Sequence, residues 1–484
     1  MGSSVLEQAR LAGAKVTGLT FRSQEVRPGF VFFALKGANA DGNTFIPEAV
    51  RRGASLVVSE QPLQTSLSVP FYQSTDIDKD MADAAYEFYG RPSDALRMIG
   101  VTGTKGKTSI AYLVESILTA AGQKVGALGT VSYRIGGRKI CDAPNTTPAA
   151  LPLFNLLAEM KKENCQTVVM EVSSHALELQ RVRHIWYDTA IFTNLQRDHL
   201  DFHQTFENYF NAKVKLFNNL VDPQNPKPNR TAVINADDPY GQKLINLLQD
   251  RVRVVTFGLE QKADFCATNI REFLTHTKFE VNGRKARISL LGRHNVYNAL
   301  AAWAAAFANG VPTEKIVQGL AALPGVPGRM ERINAGQDFF AFVDFAYTNE
   351  SLARAFATVA PFKKGKIFVV FGCGGQRDRT KRPLMGRTAC TQADYVFLTN
   401  DNPRCEAPQQ IFKDILAGME GCTNYEIVPD RAEAIRRALS TAQKDDIVIV
   451  AGKGHENYQL VGTEKRHFSD QEVIREFLKE KARV

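Results

Sequence analysis

Short apolar runs separated by polar, helix-period stretches organise most of the chain. From Val5 to about Pro92 the runs Val31 to Leu35 and Ser55 to Ser59 predict strands among turns and helical stretches, with no nucleotide-binding loop. The text changes at Met98. Ile99-Gly100-Val101 reads as a buried strand, a Gly-rich turn follows, and an amphipathic helix is predicted from about Thr108 to Ala121. Further strands are predicted at Thr167 to Val172, Thr189 to Thr193, Ala232 to Asn235 and Val252 to Phe257. Strands alternating with helices at this spacing predict an α/β fold with a mainly parallel sheet.

Pro324-Gly325-Val326-Pro327-Gly328 is the strongest breaker, and a third αβ run follows it with strands at Ile367 to Phe371, Tyr395 to Thr399 and Ile447 to Ala451. Their following loops are Gly372 to Gly375, Asn400 to Arg404 and Gly452 to Glu456. Ligands of open parallel sheets sit at the carboxyl ends of strands, so these loops should converge on one crevice. Three domains are expected: residues 1–95, a central unit 96–330 and a third αβ unit 331–484.

With 44% apolar and 23% charged residues in 484, the composition is that of a folded enzyme and excludes disordered and collagen-like chains. No apolar run is long enough to span a membrane, and the start lacks the pattern of a secretory signal, so a cytoplasmic protein is expected. Seven cysteines, widely spread and without a C-x-x-C pair, read as reduced thiols. The net charge of +9 admits nucleic acid or an acidic small molecule. Basic residues crowd Arg377 to Arg387 beside a Gly-rich turn, which favours a bound phosphate or carboxylate.

The most informative stretch is Gly103-Thr104-Lys105-Gly106-Lys107-Thr108-Ser109, between strand and helix. There, backbone N–H groups can wrap phosphates, Lys107 can reach the β and γ phosphates, and the Thr108 hydroxyl can meet Mg²⁺. Val101 stands where the strict phosphate-loop spacing has glycine. Glu171 ends a buried strand, a placement suited to holding Mg²⁺. His199 and His203 have the i, i+4 spacing of a zinc site, but Leu200 replaces the catalytic Glu, which excludes that type of metalloprotease. Either His alone also reads as a hydrogen-bonded structural residue.

These stretches, with Thr146-Thr147-Pro148, Met170 to His175, Asp198 to Asp201, Gly292 to Asn295 with Asn298, Pro327 to Arg329, Lys381 to Pro383, Asp401-Asn402-Pro403-Arg404 and Gly452 to Glu456, resemble the Mur ligases of peptidoglycan synthesis in order and over nearly the whole chain. The resemblance implies an ATP-dependent amide ligase that adds meso-2,6-diaminopimelate to UDP-N-acetylmuramoyl-L-alanyl-D-glutamate through an acyl phosphate, a step in cell-wall biogenesis on which cell shape and division depend. It also implies a central ATPase and a Rossmann-like C-terminal domain for the amino acid, with Ser23, Ala38, Asn39 and Ala40 at the uridine diphosphate and Thr146, Thr147, Ser173 and Arg181 at the muramoyl dipeptide. Asn295 and Asn298 would meet the adenine, with Arg329 and Asp344 joining the ATP. Thr108 and Glu171 would serve one Mg²⁺. His199 and Lys213, the latter as a carbamate formed with CO₂, would serve a second. Arg377, Asp401, Asn402, Pro403, Arg404, Gly452 and Glu456 would receive the amino acid, with Glu456 suited to its distal ammonium. Asn295, Asn298 and Ser173 read equally as helix caps.

The chain departs from the family pattern at Arg22 and Gln24 beside Ser23, at Ala149, at Leu179, and at Tyr347 and Asn349, where an imidazole is replaced. The alternatives are the same chemistry with L-lysine or another acceptor, a folylpolyglutamate-synthase-like activity, a basic nucleic-acid ATPase, or a catalytically impaired homologue. Helicase-type motifs are missing, and the Asp401 to Arg404 loop favours diaminopimelate. A monomer without nucleic-acid or membrane partners is expected.

Overall fold

Apolar runs of four to six residues, buried on both faces, build the sheets of the computed structural model, which describes residues 4–37, 40–63 and 66–481. One compact unit takes the chain up to Cys266 together with Tyr297–Gly319, and the second takes Ala267–Val296 and the chain from Leu320 onward.

In the first unit the predicted strand at Ile99 is Arg97–Thr102, buried from Met98 onward. It lies between parallel partners Thr189–Phe192 and Thr167–Glu171. Thr231–Asn235 and then Arg253–Gly258 extend the sheet on one side, and Val125–Leu128 does so on the other, all in parallel. Two antiparallel strands, Ser132–Ile135 and Arg138–Asp142, complete that side. Because the chain leaves Arg97–Thr102 toward one side and later returns to the other, a crevice opens at its carboxyl end. A separate parallel sheet near the amino terminus runs Gly18–Thr20, Phe30–Phe33, Ala54–Ser59, Phe71–Gln73. One of its faces packs Phe32 and Val57 in a small core, while Val31, Phe33, Leu56 and Val58 join the large core around Phe154 and Leu157.

The second unit carries a six-stranded sheet in the order Glu331–Ile333, Phe340–Asp344, Ile447–Ala451, Ile367–Phe371, Tyr395–Leu398, Tyr425–Ile427. Only Glu331–Ile333 is antiparallel to its neighbour. Ile367, Val369 and Phe371 face one core and Phe368 and Val370 the other, as expected of a strand covered on both sides. The strand Phe265–Phe273 starts in the first unit and continues into an antiparallel ribbon with His276–Val281 and Arg284–Ile288.

The cysteines correct the all-thiol reading. Cys390 and Cys422 form a disulfide with Cα atoms 6.3 Å apart, and the other five are free. The fold makes this pairing by bringing the last turn of the helix Lys381–Gln392 to the loop before Tyr425–Ile427, across a separation of 32 residues that has no sequence signature. Among the described residues no helix is long and apolar enough to cross a membrane.

Candidate active site

The phosphate loop is shaped by two glycines whose backbone other residues cannot easily adopt. Gly103 has φ +141° and Gly106 has φ +91°. A Cβ at Gly103 would collide with Thr193 Oγ1, and one at Gly106 would lie 2.5 Å from Asn298 Oδ1. The Thr193-Asn194 pair also braces the loop: Thr193 Oγ1 donates to Lys105 O at 2.7 Å, and Asn194 O accepts from Thr104 N at 2.8 Å. Val101, at the position where the strict spacing has glycine, is a fully buried strand residue, so the tight turn begins two residues later. Lys107 opens the helix Lys107–Ala120 and folds back on the loop, donating to Gly103 O at 2.8 Å and Thr104 O at 2.9 Å. Ser109, next to Thr108, is buried.

Beside the loop, the Thr108 hydroxyl donates to Glu171 Oε2 at 3.0 Å. Glu171 is 1% exposed and also receives Thr130 N at 2.8 Å and Thr130 Oγ1 at 3.0 Å. Lys213 projects from the helix Phe206–Val221 and is 1% exposed. Its Nζ donates to Gly103 O at 3.1 Å and lies 4.3 Å from the centre of the Tyr209 ring. Burial, reinforced by the Lys107 charge, pushes its amine well below the usual lysine range. The Tyr209 hydroxyl meets Thr104 Oγ1 at 3.2 Å.

The two histidines of the i, i+4 pair part company. His199, φ +54°, is the N-cap residue of a four-residue helix and remains half exposed. Burial holds its imidazole below the usual range, Asp198 opposes that, and the charges of Lys107 and Lys213 reinforce it. His203 is buried and hydrogen-bonded to Ser174 Oγ at 2.9 Å, the structural role. No three His, Cys, Asp or Glu side chains among the described residues gather where a cation could sit.

The residues expected at the dipeptide form one network with Glu171. Thr147 Oγ1 donates to Glu171 O at 2.8 Å and accepts from Ser173 N at 3.0 Å, and Thr146 Oγ1 meets Thr130 Oγ1 at 3.1 Å. Arg181 Nη1 donates to Thr147 O at 3.4 Å, and Ser173 caps the helix Ser174–Glu178. Farther off, the Ser23 hydroxyl is buried and donates to Glu48 Oε2 at 2.8 Å. Ala40 is exposed and its carbonyl accepts from Gly37 N at 2.9 Å, while Ala38 and Asn39 lie outside the described residues.

In the second unit the three strand-end loops meet. Arg404 has left-handed φ +53°, and its Nη1 donates to Gly375 O at 2.8 Å. Among the described residues it forms no ion pair. A Cβ on Gly452 would lie 2.8 Å from Asp401 Oδ2, and Asn402 Nδ2 donates to Glu456 Oε2 at 2.9 Å. Arg377 is exposed, and Pro403 is buried. Elsewhere in this unit Asp344 Oδ2 accepts from Met330 N at 2.6 Å, and the Arg329 guanidinium lies 5.2 Å from the centre of the Phe345 ring. Both asparagines lie in the helix Arg293–Ala308: Asn295 Nδ2 donates to Leu291 O at 2.7 Å, a cap-like bond to the turn before it, and Asn298 follows one turn later, among the residues of the first unit. Sequence reasoning missed Thr130, Tyr209 and Lys453. Tyr209 carried a usable signal, four residues before Lys213 on one helix face.

Residues 15–88 match the family described as Mur ligase family, catalytic domain; residues 101–306 match Mur ligase middle domain; and residues 328–454 match Mur ligase, glutamate ligase domain. The chain is 43% identical to the UDP-N-acetylmuramoyl-L-alanyl-D-glutamate–2,6-diaminopimelate ligase of Solibacter usitatus, over 97% of this chain and 94% of that one. It is also 43% identical to the enzyme of that name from Geobacillus thermodenitrificans, over 96% and 95%. A solved structure with the same enzyme name aligns with a TM-score of 0.68 at 33% identity, covering 96% and 95%. The MurF ligase of Thermotoga maritima, solved with ADP, shares the fold at 21% identity with a TM-score of 0.64, covering 96% and 98%. With three family models matching successive stretches of the sequence and relatives 43% identical over nearly its whole length, the chain belongs to the Mur ligase family.

Proposed function

We propose that this chain is the ATP-dependent ligase that joins meso-2,6-diaminopimelate to UDP-N-acetylmuramoyl-L-alanyl-D-glutamate in the cytoplasm, acting as a monomer without nucleic-acid or membrane partners. The observation that carries the acceptor assignment is Arg404, which among the described residues forms no ion pair and lies in the strand-end loop whose Asn402 is hydrogen-bonded to Glu456. Diaminopimelate differs from lysine by a carboxylate beside its distal amine, and an arginine beside a glutamate answers that pair of charges. The Solibacter usitatus and Geobacillus thermodenitrificans relatives carry these substrates in their names.

The reaction converts a poor electrophile into a good one. The free carboxylate of the dipeptide attacks the γ phosphorus of ATP, releasing ADP and leaving an acyl phosphate. The acceptor amine then adds to the acyl carbon, and phosphate departs as the amide forms. The backbone N–H groups of residues 103–109 and Lys107 hold the phosphates, with Lys107 exchanging the Gly103 and Thr104 carbonyls for phosphate oxygens. Thr147, Ser173 and Arg181 position the dipeptide, and Arg404, Asn402 and Glu456 orient the acceptor. Ser23 and the Ala38 to Ala40 segment take the uridine diphosphate; Asn295, Asn298, Arg329 and Asp344 take the rest of the ATP; Arg377, Asp401, Pro403 and Gly452 complete the acceptor loops.

Thr108 and Glu171, hard oxygen donors 3.0 Å apart, fit one Mg²⁺. Lys213 fits the carbamate that a second Mg²⁺ needs, because burial disfavours its ammonium and the neutral amine is the form that takes up CO₂. His199 is its neighbour. Held there, Mg²⁺ would neutralise charge on the transferring phosphoryl group.

Phosphate release is the direct assay. Lys107→Ala and Thr108→Ala should each keep the fold and lose at least about 10²-fold in turnover, the scale of one preorganised electrostatic contact to a transition state. Retained turnover in either variant removes the ATP-site assignment.

A further inference from the structure

The loop after Ile447–Ala451 carries a lysine to which the mechanism gives no task. Lys453 is 0% exposed. Its ammonium donates to Glu456 Oε2 at 2.9 Å and to Asn402 Oδ1 at 3.2 Å, and it lies 5.4 Å from the centre of the Tyr458 ring. Asn402 closes a triangle through Nδ2 to Glu456 Oε2, while its Oδ1 also accepts from Leu460 N at 2.9 Å. An ammonium and a backbone N–H can only donate, so the Asn402 atom between them must be its oxygen, and its NH₂ group is therefore turned to Glu456.

Holding the strand ends together does not require this lysine. Arg431, fully buried and paired with Asp470 at 2.7 Å, donates to Ala451 O at 3.0 Å and to Asn400 O at 3.5 Å, and so already ties the two strands together where these loops leave them. A buried ammonium is costly unless paired and hydrogen-bonded. Both partners of Lys453 are residues assigned to the acceptor.

We propose that Lys453 is a positioning residue for the acceptor, which rests on the acceptor reading given above. It fixes the Asn402 amide and, with it, the plane of the Glu456 carboxylate, so that Glu456 and Arg404 present a preset pair of opposite charges to the distal end of a diamino acid. Without the ammonium, Asn402 can turn over and Glu456 loses its charged donor.

Lys453→Met keeps length and apolar volume. With diaminopimelate as acceptor it should raise the acceptor KM about 10- to 100-fold, the scale of a lost charged hydrogen bond, and shrink the preference for diaminopimelate over lysine by a similar factor. The KM values for ATP and for the muramoyl dipeptide should stay within about twofold. Asn402→Leu, which leaves Lys453 in place, should give the same split, and the double variant should lose less than the product of the two single losses. If Lys453→Met folds poorly, Lys453→Gln, which keeps a hydrogen-bond donor without the charge, takes its place in the same comparison. A fall in kcat and melting temperature with acceptor KM and acceptor preference unchanged would assign Lys453 to stability alone and overturn the proposal. The wild-type acceptor panel tests the acceptor reading separately: should another amino acid be preferred, the same KM split measured with that amino acid still decides the role of Lys453.

Discussion

Lys213 and Asp344 are side chains whose environments oppose their ordinary charge, and each yields a test. If Lys213 acts as a carbamate, Lys213→Ala loses an anion and little else. The variant should be nearly inactive and partly restored by a small added carboxylate, and wild-type protein supplied with ¹³C-bicarbonate should show a carbamate carbon that the variant lacks. A fully active enzyme with an unmodified lysine contradicts this. At Asp344, burial pushes the carboxyl up to about 6, against the Met330 N–H bond and the charges of Arg329 and Arg354, which lower it. A folded-state value above the unfolded one means that the fold prefers the neutral acid. Compared with Asp344→Asn, the wild type should therefore be on equal terms below about pH 4 and lose about 1–3 kcal/mol as pH rises through 6. Urea denaturation of both at pH 4, 5 and 7 measures that gap; a gap constant across the range would show that Asp344 is not destabilised by burial. By itself a lysine on a helical stretch reads as solvated, so the burial of Lys213 was not legible without the family resemblance. The structure buries it with Tyr209, Leu216, Phe217 and Leu220 on the apolar face of that helix. What it becomes there is chemistry that periodicity does not carry, and only the family resemblance suggested it.

Among the elements, strands covered on both faces were the legible ones. Ile367–Phe371 and Ile447–Ala451 stand as the apolar runs predicted, and Thr167–Glu171, Thr189–Phe192 and Tyr395–Leu398 end one residue earlier. The antiparallel ribbons were not legible, because strands such as Arg284–Ile288 and the exposed Glu464–His467 keep mostly charged residues facing water and read as loops. The disulfide and the membership of Ala267–Val296 in the second unit depend on tertiary placement, which no local pattern encodes. The phosphate loop offers the sharpest test at this scale. Gly106→Ala must adopt φ +91° and place a Cβ 2.5 Å from Asn298 Oδ1, so the loop must distort. Stability should fall by about 1–3 kcal/mol and ATP-dependent turnover should collapse, readable by thermal denaturation and phosphate release on one sample. Near-normal values for both would mean that the loop is not under this constraint.

Across the whole molecule the proposed chemistry draws on residues of both compact units. The first holds the phosphate loop, Glu171 and Lys213; the second holds Arg404, Asn402 and Glu456. Substitutions in the first should stop acyl-phosphate formation whatever the acceptor, and substitutions at the second unit's strand ends should change which amine is used. The net charge of +9 fits a chain whose proposed substrates are anions and sets no requirement for nucleic acid. The most direct measurement is phosphate release with UDP-N-acetylmuramoyl-L-alanyl-D-glutamate, ATP and a panel of amino acids, run on the wild type and on Arg404→Ala. The wild type should prefer meso-diaminopimelate, and Arg404→Ala should lose on the order of 10²-fold or more in kcat/KM for it while its weak use of lysine changes far less. A wild type that prefers lysine, or an Arg404→Ala variant that weakens both acceptors alike, would contradict the acceptor assignment.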